Sequence, residues 1–313
     1  MKKVKNVLML VLLFGMMGCN DELVTDVTTS NQSNKDKEFV ETFLRKKAPQ
    51  AQKFKRNTDK AIEIRTNGQL LFQFEPNAFK DNKGNVVSGD VDISITEYLS
   101  NAAIIYGGVT TTTAQKILQS GGMFQINVSQ NGAVLSLNTK QYDVQFPTKS
   151  VDWSMRLFEG KELTNENGDQ DISWEENYDS WLADDSINRD TVYRTKLGFL
   201  NWGNLDKYLL NTNGSTVHLK LPEIYTNKNT LVYTVLADRS ITYMYSSQAK
   251  KEFNSKQYKL PADLDFKILV ISSADGVLKY KLLQSKVVPN HLETVTALDA
   301  ISESDLDKII EDI

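Results

Sequence analysis

The sequence predicts a mostly-β protein: two antiparallel β-sandwich units followed by a short C-terminal helix. Three observations carry that prediction. Short runs alternate apolar and polar residues, as in "DVDISITEY" (90–98), where Val91, Ile93 and Ile95 share one side. A strand with one buried and one wet face reads this way. Turn pairs punctuate the runs at Asn67-Gly68, Asn131-Gly132 and Asp275-Gly276, where positive φ is easily reached and hairpins close. In the final stretch, "SESDLDKIIEDI", the apolar spacing changes to that of a helix.

From the first residue, Lys2, Lys3 and Lys5 precede an apolar run, Val7–Met17, of about 11 residues. A membrane span needs roughly 20, so residues 1–18 read as an export signal. Gly18 then stands directly before Cys19, the only cysteine in the chain. This segment resembles the lipobox of bacterial lipoproteins, in the looser form of Bacteroidetes-type members, with Met16 and Met17 at the preceding positions. The resemblance implies a diacylglycerol on the Cys19 sulfur and a mature chain that starts there. The alternative is a plain secretory signal with an incidental cysteine. Two or three acyl chains make attachment effectively permanent, whereas one is marginal. Asn20, Asp21 and Glu22 resemble the acidic surface-export signal of the same group. Display on the cell surface is therefore favoured over the periplasmic face of the outer membrane. One thiol excludes an intrachain disulfide.

Without the leader's three lysines the formal charge of −4 becomes −7, and no extensive basic face is expected. No nucleic-acid partner is expected on those grounds; the bilayer, reached through acylated Cys19, and an envelope protein or glycan are the expected ones. Residues 19–57 read as lipidated cysteine, flexible tether and short helix. The tether, Asn20 to about Lys37, lacks apolar periodicity. Phe39, Phe43 and Leu44 then fall at helical spacing before Pro49.

Residues 58–148 read as the first sandwich. "AIEIR" and "QLLFQFE" flank Asn67-Gly68, and "MFQINV" and "YDVQF" follow. "FEPNAFKDNKGNVVSGDVDISITEY" with the later "GGMFQINVSQNG" resembles the ZU5-like β-sandwich of many Bacteroidetes lipoproteins, over roughly residues 61–148. The resemblance implies a fold and no chemistry. Residues 149–210 hold all four tryptophans, and eleven acids against Lys161 and Arg189 lie between Glu159 and Asp190. "LGFLNWGNLDKYL" (197–209) resembles a Trp-x-Asn-x-Asp segment of the same group through Trp202, Asn204 and Asp206. The whole stretch is expected to be an acidic, Trp-rich joint. Residues 211–313 read as a second, immunoglobulin-like β unit with runs at 216–221, 230–237, 241–246, 265–272 and 278–288. Ser302 caps the closing helix, whose stripe is Leu306, Ile309, Ile310 and Ile313.

For chemistry the sequence offers little. His218 and His291 lie in separate segments without metal-ligand spacing, no nucleophile or phosphate-loop motif occurs, and no catalytic residue or cofactor is expected. "NENGDQDISWEE" resembles an EF-hand calcium loop through Asn165, Asn167, Asp169, Asp171, Ser173 and Glu176. Gln170 stands where that loop turns on glycine, and an acidic solvated loop is the alternative. Trp174, Tyr178 and Trp181 interleave with acids, which suits glycan binding; the alternative is that these rings fill the space between the sandwiches. Asp185-Ser186-Ile187 and Asp190-Thr191-Val192 resemble Bacteroidetes O-glycosylation acceptors at Ser186 and Thr191. The expected function is a non-enzymatic binding or scaffold module in the envelope. Its alternatives are a glycan-binding lipoprotein of a polysaccharide-uptake system and a hydrolase using acids within 159–190, Glu175 and Glu176 among them.

Overall fold

The computed structural model describes residues 22–183, 192–209, 214–236, 239–247, 251–256 and 258–313. Among the described residues strand far outweighs helix, which places the chain in the mostly-β class, and a short helix closes it as expected. Among the described residues, the part of the chain up to Tyr208 contains β1 (Gln52–Asn57), β2 (Ile62–Arg65), β3 (Leu71–Phe74), β4 (Phe79–Lys80) and β5 (Asp90–Tyr98). It continues with β6 (Leu118–Gln130), β7 (Ala133–Val134), β8 (Ser136–Leu137) and β9 (Tyr142–Pro147). Then come β10 (Arg156–Thr164), β11 (Gln170–Glu176), β12 (Trp181–Ala183), β13 (Val192–Leu197) and β14 (Asn201–Tyr208).

All of these strands but β4 and β8, which pair with each other, form two facing antiparallel sheets. One has the order β1-β5-β6-β14-β10-β11, with β7 on β6; the other is β12-β13-β9-β3-β2. Between them lie Phe72, Ile93, Phe124, Phe146, Leu157 and Leu205, all buried. Their neighbours in sequence point the other way, because side chains alternate along a strand. Met123, Phe158 and Trp202, with Ile172 and Trp174 of β11, therefore leave the larger sheet on its opposite face and join a second core. Along β10, β11 and β14 that sheet is buried on both sides, whereas Lys55, Asp92 and Asn127 leave the outer face of β1, β5 and β6 open.

Residues 149–210, expected as a joint, supply β10–β14 to both of these sheets. The acids of this stretch mask strand texture in the sequence, but several of them, such as Glu162 and Glu175, sit at exposed positions of the β10–β11 hairpin.

The second core belongs to the rest of the chain. Its strands are β15 (Gly214–Ser215), β16 (His218–Lys220), β17 (Thr230–Leu236), β18 (Ser240–Tyr243), β19 (Tyr245–Ser247) and β20 (Glu252–Asn254). They are followed by β21 (Leu260–Pro261), β22 (Asp265–Ala274), β23 (Val277–Lys286), β24 (Leu292–Thr294) and β25 (Asp299–Ala300). A five-stranded sheet runs β18-β17-β22-β23-β25, and a smaller one runs β19-β20-β16-β24 with β16 and β24 parallel.

Among the described residues three helices complete the fold: α1 (Glu22–Lys47), α2 (Asn101–Gly107) and α3 (Glu303–Glu311). The sequence predicts a tether to about Lys37, whereas α1 is helical from Glu22. Packing of Val40, Phe43 and Leu44 into the second core anchors its last turns, and each further residue then adds one hydrogen bond to a helix already nucleated. Asp36 secures it further, accepting from the Ser273 hydroxyl at 3.0 Å. Lys47 pairs with Asp307 of α3 at 2.8 Å, so the first and last helices are tied together. Ser302 caps α3 as predicted, accepting from Asp305 N at 3.1 Å. Leu306 and Ile310 are buried, and Ile309 and Ile313 half-buried.

Candidate functional site

An open cleft lies beside a tight turn at residues 152–155. Asp152 begins the turn: its carboxylate accepts from Ser154 N at 2.9 Å and the Ser154 hydroxyl at 2.6 Å. Asp152 N donates to the Tyr193 hydroxyl at 2.7 Å, and the Arg156 guanidinium donates to the carbonyls of Trp153 and Met155 at 2.9 and 2.7 Å. A turn held at these points presents Trp153 to solvent, 55% exposed. Hydrogen bonding from Lys207, with help from Ser154, lowers the Asp152 carboxyl to about 2, so the turn keeps its anionic partner across the physiological range.

Across from it, β11 ends at Glu176 and the chain turns at Asn177, whose backbone N–H donates to Leu157 O at 2.8 Å. Tyr178 follows, 85% exposed. Trp153 and Tyr178 line one open cleft of about 710 Å³, with Arg156, Glu176, Asn177 and Ser180 as its polar groups. Arg156 Nε lies 3.9 Å from Glu176 Oε1. The Tyr208 hydroxyl donates to Glu176 Oε2 at 2.9 Å; burial, reinforced by that carboxylate, pushes the phenol up to about 12. The cleft thus combines two exposed aromatic rings with fixed donors and acceptors.

The aromatic residues singled out by the sequence separate. Tyr178 belongs to the cleft. Trp174 does not: it is completely buried, donates its Nε1–H to Thr110 O at 2.7 Å and meets the Trp202 ring edge-on at 6.2 Å. This corrects the expectation that Trp174 offers a binding face in favour of its alternative, an interior ring, and the reason is that the larger sheet is covered on both sides at β11. Trp181 lies in β12, paired with Lys196 of β13. Trp153 was not among the expected ligand residues. It sits in a turn, where no periodicity marks it, and the Asp152-x-Ser154 pattern was its only local signal.

The calcium-loop resemblance also resolves differently. Residues 164–170 are the turn of the β10–β11 hairpin, in which Asn165 N donates to Asp169 O at 2.8 Å and Gly168 N to Asn165 O at 2.9 Å. Asp171, Ser173 and Glu176 then lie along β11, an extended strand, so the six oxygen donors do not converge on one point. Asp169 pairs instead with Lys37 at 2.6 Å. Asp171 accepts from the Thr110 hydroxyl at 3.0 Å, and burial raises its carboxyl to about 7. Among the described residues no group of three or more His, Cys, Asp or Glu side chains is arranged to hold a metal.

Histidines that are far apart in sequence become neighbours: His218 N donates to His291 O at 3.0 Å. Their rings remain separately engaged, His218 with Glu252 at 2.8 Å and His291 with Glu293 at 2.9 Å. Cys19 and the acceptor residues Ser186 and Thr191 lie outside the described residues. Among the described residues no helix is long and apolar enough to cross a membrane. No family model and no curated protein matches this chain.

Proposed function

We propose that this chain is a lipid-anchored envelope protein that binds carbohydrate, without hydrolysing it, in the Trp153–Tyr178 cleft. One observation carries the reading: two large aromatic side chains, both mostly exposed, line a single cleft that also presents Arg156, Glu176 and Asn177. Exposed aromatic surface grouped in this way is the informative kind. The apolar face of a pyranose ring stacks on such a side chain while its hydroxyls take the neighbouring donors and acceptors.

The acids favour binding over hydrolysis. Glu175 and Glu176 are consecutive in a strand and point to opposite faces. Glu175 pairs with Lys161, and among the described residues that line the cleft Glu176 is the one carboxylate. A glycosidase needs two flanking one bond. Anchoring rests on the Lys-rich start, the short apolar run and Gly18-Cys19. Soon after Cys19 begins α1, 26 residues long and about 39 Å at 1.5 Å per residue, whose far end is locked into the core.

The test is a polysaccharide array probed with the mature chain and with Trp153→Ala and Tyr178→Ala. Each variant should weaken binding by roughly tenfold, equivalent to about 1.4 kcal/mol, with folding unchanged. Undiminished binding by both would remove the cleft from consideration.

A further inference from the structure

Lys37 of α1 and Asp169 of the β10–β11 turn are distant in the chain and in contact in the fold. Lys37 Nζ lies 2.6 Å from Asp169 Oδ1. Asp169 is only 6% exposed, yet neither of its carboxylate oxygens receives a hydrogen bond, so the ammonium meets the carboxyl too obliquely for one. Taking two charges out of water is costly unless good geometry and further hydrogen bonds offset it. Here they do not, and the contact becomes favourable if both charges are removed.

The two groups are held in place from both sides. On the helix, Asp36 accepts from the Ser273 hydroxyl at 3.0 Å and from Gly276 N at 3.2 Å, and Lys37 Nζ also donates to Asn167 O at 3.3 Å. In the turn, Asn165 clasps both backbone groups of Asp169, at 2.8 and 3.0 Å. Asn167 fastens that turn to the second core, donating to Met244 O at 3.1 Å and accepting from Ser246 N at 3.0 Å. Reacting groups fixed against each other reach effective concentrations of ~10⁵–10⁸ M, which favours condensation over hydrolysis.

A third group stands beside them. Gln170 is exposed whereas Asp169 and Asp171 are buried, so the two acids share the inner face of the hairpin. The Thr110 hydroxyl orients the Asp171 carboxyl at 3.0 Å. Burial, with the charge of Asp169 adding to it, raises that carboxyl to about 7, where it can hold a proton and release it. Burial and the same two carboxylates push up the phenol of Tyr233, which is completely buried; the pair therefore faces an aromatic interior.

We infer that Lys37 Nζ and Asp169 Cγ become joined by an amide bond, formed within the folded chain with Asp171 as the proton carrier. Lys37 first passes one ammonium proton to Asp169, giving a neutral amine and a neutral carboxylic acid. The amine lone pair attacks Cγ, and the oxyanion that forms takes the proton of Asp171. Asp171 then removes a proton from the nitrogen and delivers it to one of the two hydroxyls, which departs as water. As the C=O reforms, its proton returns to Asp171. A C–N bond forms, a C–O bond breaks, one water leaves, and nothing is oxidised or reduced. The product ties the helix that follows Cys19 covalently to the body of the protein.

Peptide mapping of the full chain, denatured after purification, tests this, because trypsin does not cut after an acylated lysine. A missed cut at Lys37 leaves residues 36–45, and cuts after Lys161 and Arg189 release 162–189. The expected product is a branched peptide joining the two, lighter than their sum by one water. It should be absent from Lys37→Arg, which keeps the cation but has no amine to acylate, and from Asp171→Asn, which keeps the volume but carries no exchangeable acid proton. Recovery of 36–37 and 162–189 from the parent chain as separate peptides of full mass would overturn the inference, and that measurement depends on no variant folding. A branched peptide that forms undiminished in Asp171→Asn would overturn the proton-carrier step.

Discussion

Thr110 donates its hydroxyl hydrogen to the Asp171 carboxylate, with its oxygen 3.0 and 3.2 Å from the two acceptor atoms. The same short segment accepts from Trp174 N at Thr112 O, 3.0 Å, and donates from Thr111 N to Ile241 O at 2.8 Å. Residues 110–112 therefore join the β10–β11 hairpin to β18, and they do so around a buried acid. Asp169, held by Lys37, is the adjacent charge.

That acid makes stability depend on pH in a defined direction. Asp171 and Asp206 are both raised from 3.8 to about 7 by burial. Between those values the native state holds protons that the unfolded chain has released, so stability falls as pH rises through the window. The acids held low, Asp152 at about 2 with Asp81, Asp305 and Asp307, titrate below it. The thermal midpoint should drop between pH 5 and pH 8, on the order of 1 kcal/mol per unit for each group at most. Asp171→Asn should flatten the dependence by about half. A midpoint that rises over this range in calorimetry would contradict the burial of both carboxyls.

Two tryptophans should behave in opposite ways. Trp174→Ala removes a fully buried ring and strands the Thr110 carbonyl, for a loss of about 3–5 kcal/mol in urea unfolding. Trp153→Ala removes an exposed ring and should change stability by about 0.5 kcal/mol or less. Similar losses for both would show that the assignment of inner and outer faces is mistaken.

Gly160 is required by packing. A Cβ there would lie 2.6 Å from the Trp202 Cβ, 2.7 Å from Ile172 and 2.8 Å from the Trp174 ring. Gly160→Ala should cost about 1–3 kcal/mol and alter the near-ultraviolet signal of the tryptophans. A variant that melts with the parent protein would argue against this contact.

Anchoring is tested by Cys19→Ser. The parent chain should partition into the detergent phase and the variant into the aqueous phase, because the hydroxyl takes no diacylglycerol and the buried methylenes, worth about 0.8 kcal/mol each, are lost. Unchanged partitioning would refute lipid attachment at this residue.

Much of the local structure was legible in the sequence. Asn131-Gly132 and Asp275-Gly276 close hairpins with positive φ at both residues, 51° and 82° in the first, 53° and 72° in the second. At Asn67-Gly68 the hairpin forms, but the left-handed residue is Gln69, at φ 68°. Gln52 and Glu97 take the backbone N–H groups of Asn67 and Gly68 at 2.8 and 3.0 Å, and this reshapes the turn. The capped terminal helix was equally plain. The cleft was only half legible: Tyr178 stood out among acids, whereas Trp153 depends on Asp152, Tyr193 and Arg156 for its exposure.

By itself the sequence determined which segments extend, where several turns fall, and how the last helix begins, because these follow from side-chain alternation and from the φ preferences of single residues. Tertiary structure decided which rings are buried. Trp174 and Trp202 face inward only because strands and helices distant in sequence cover the second side of a sheet that local alternation would leave wet. Burial is set by what lies across the sheet, and no local pattern carries that information.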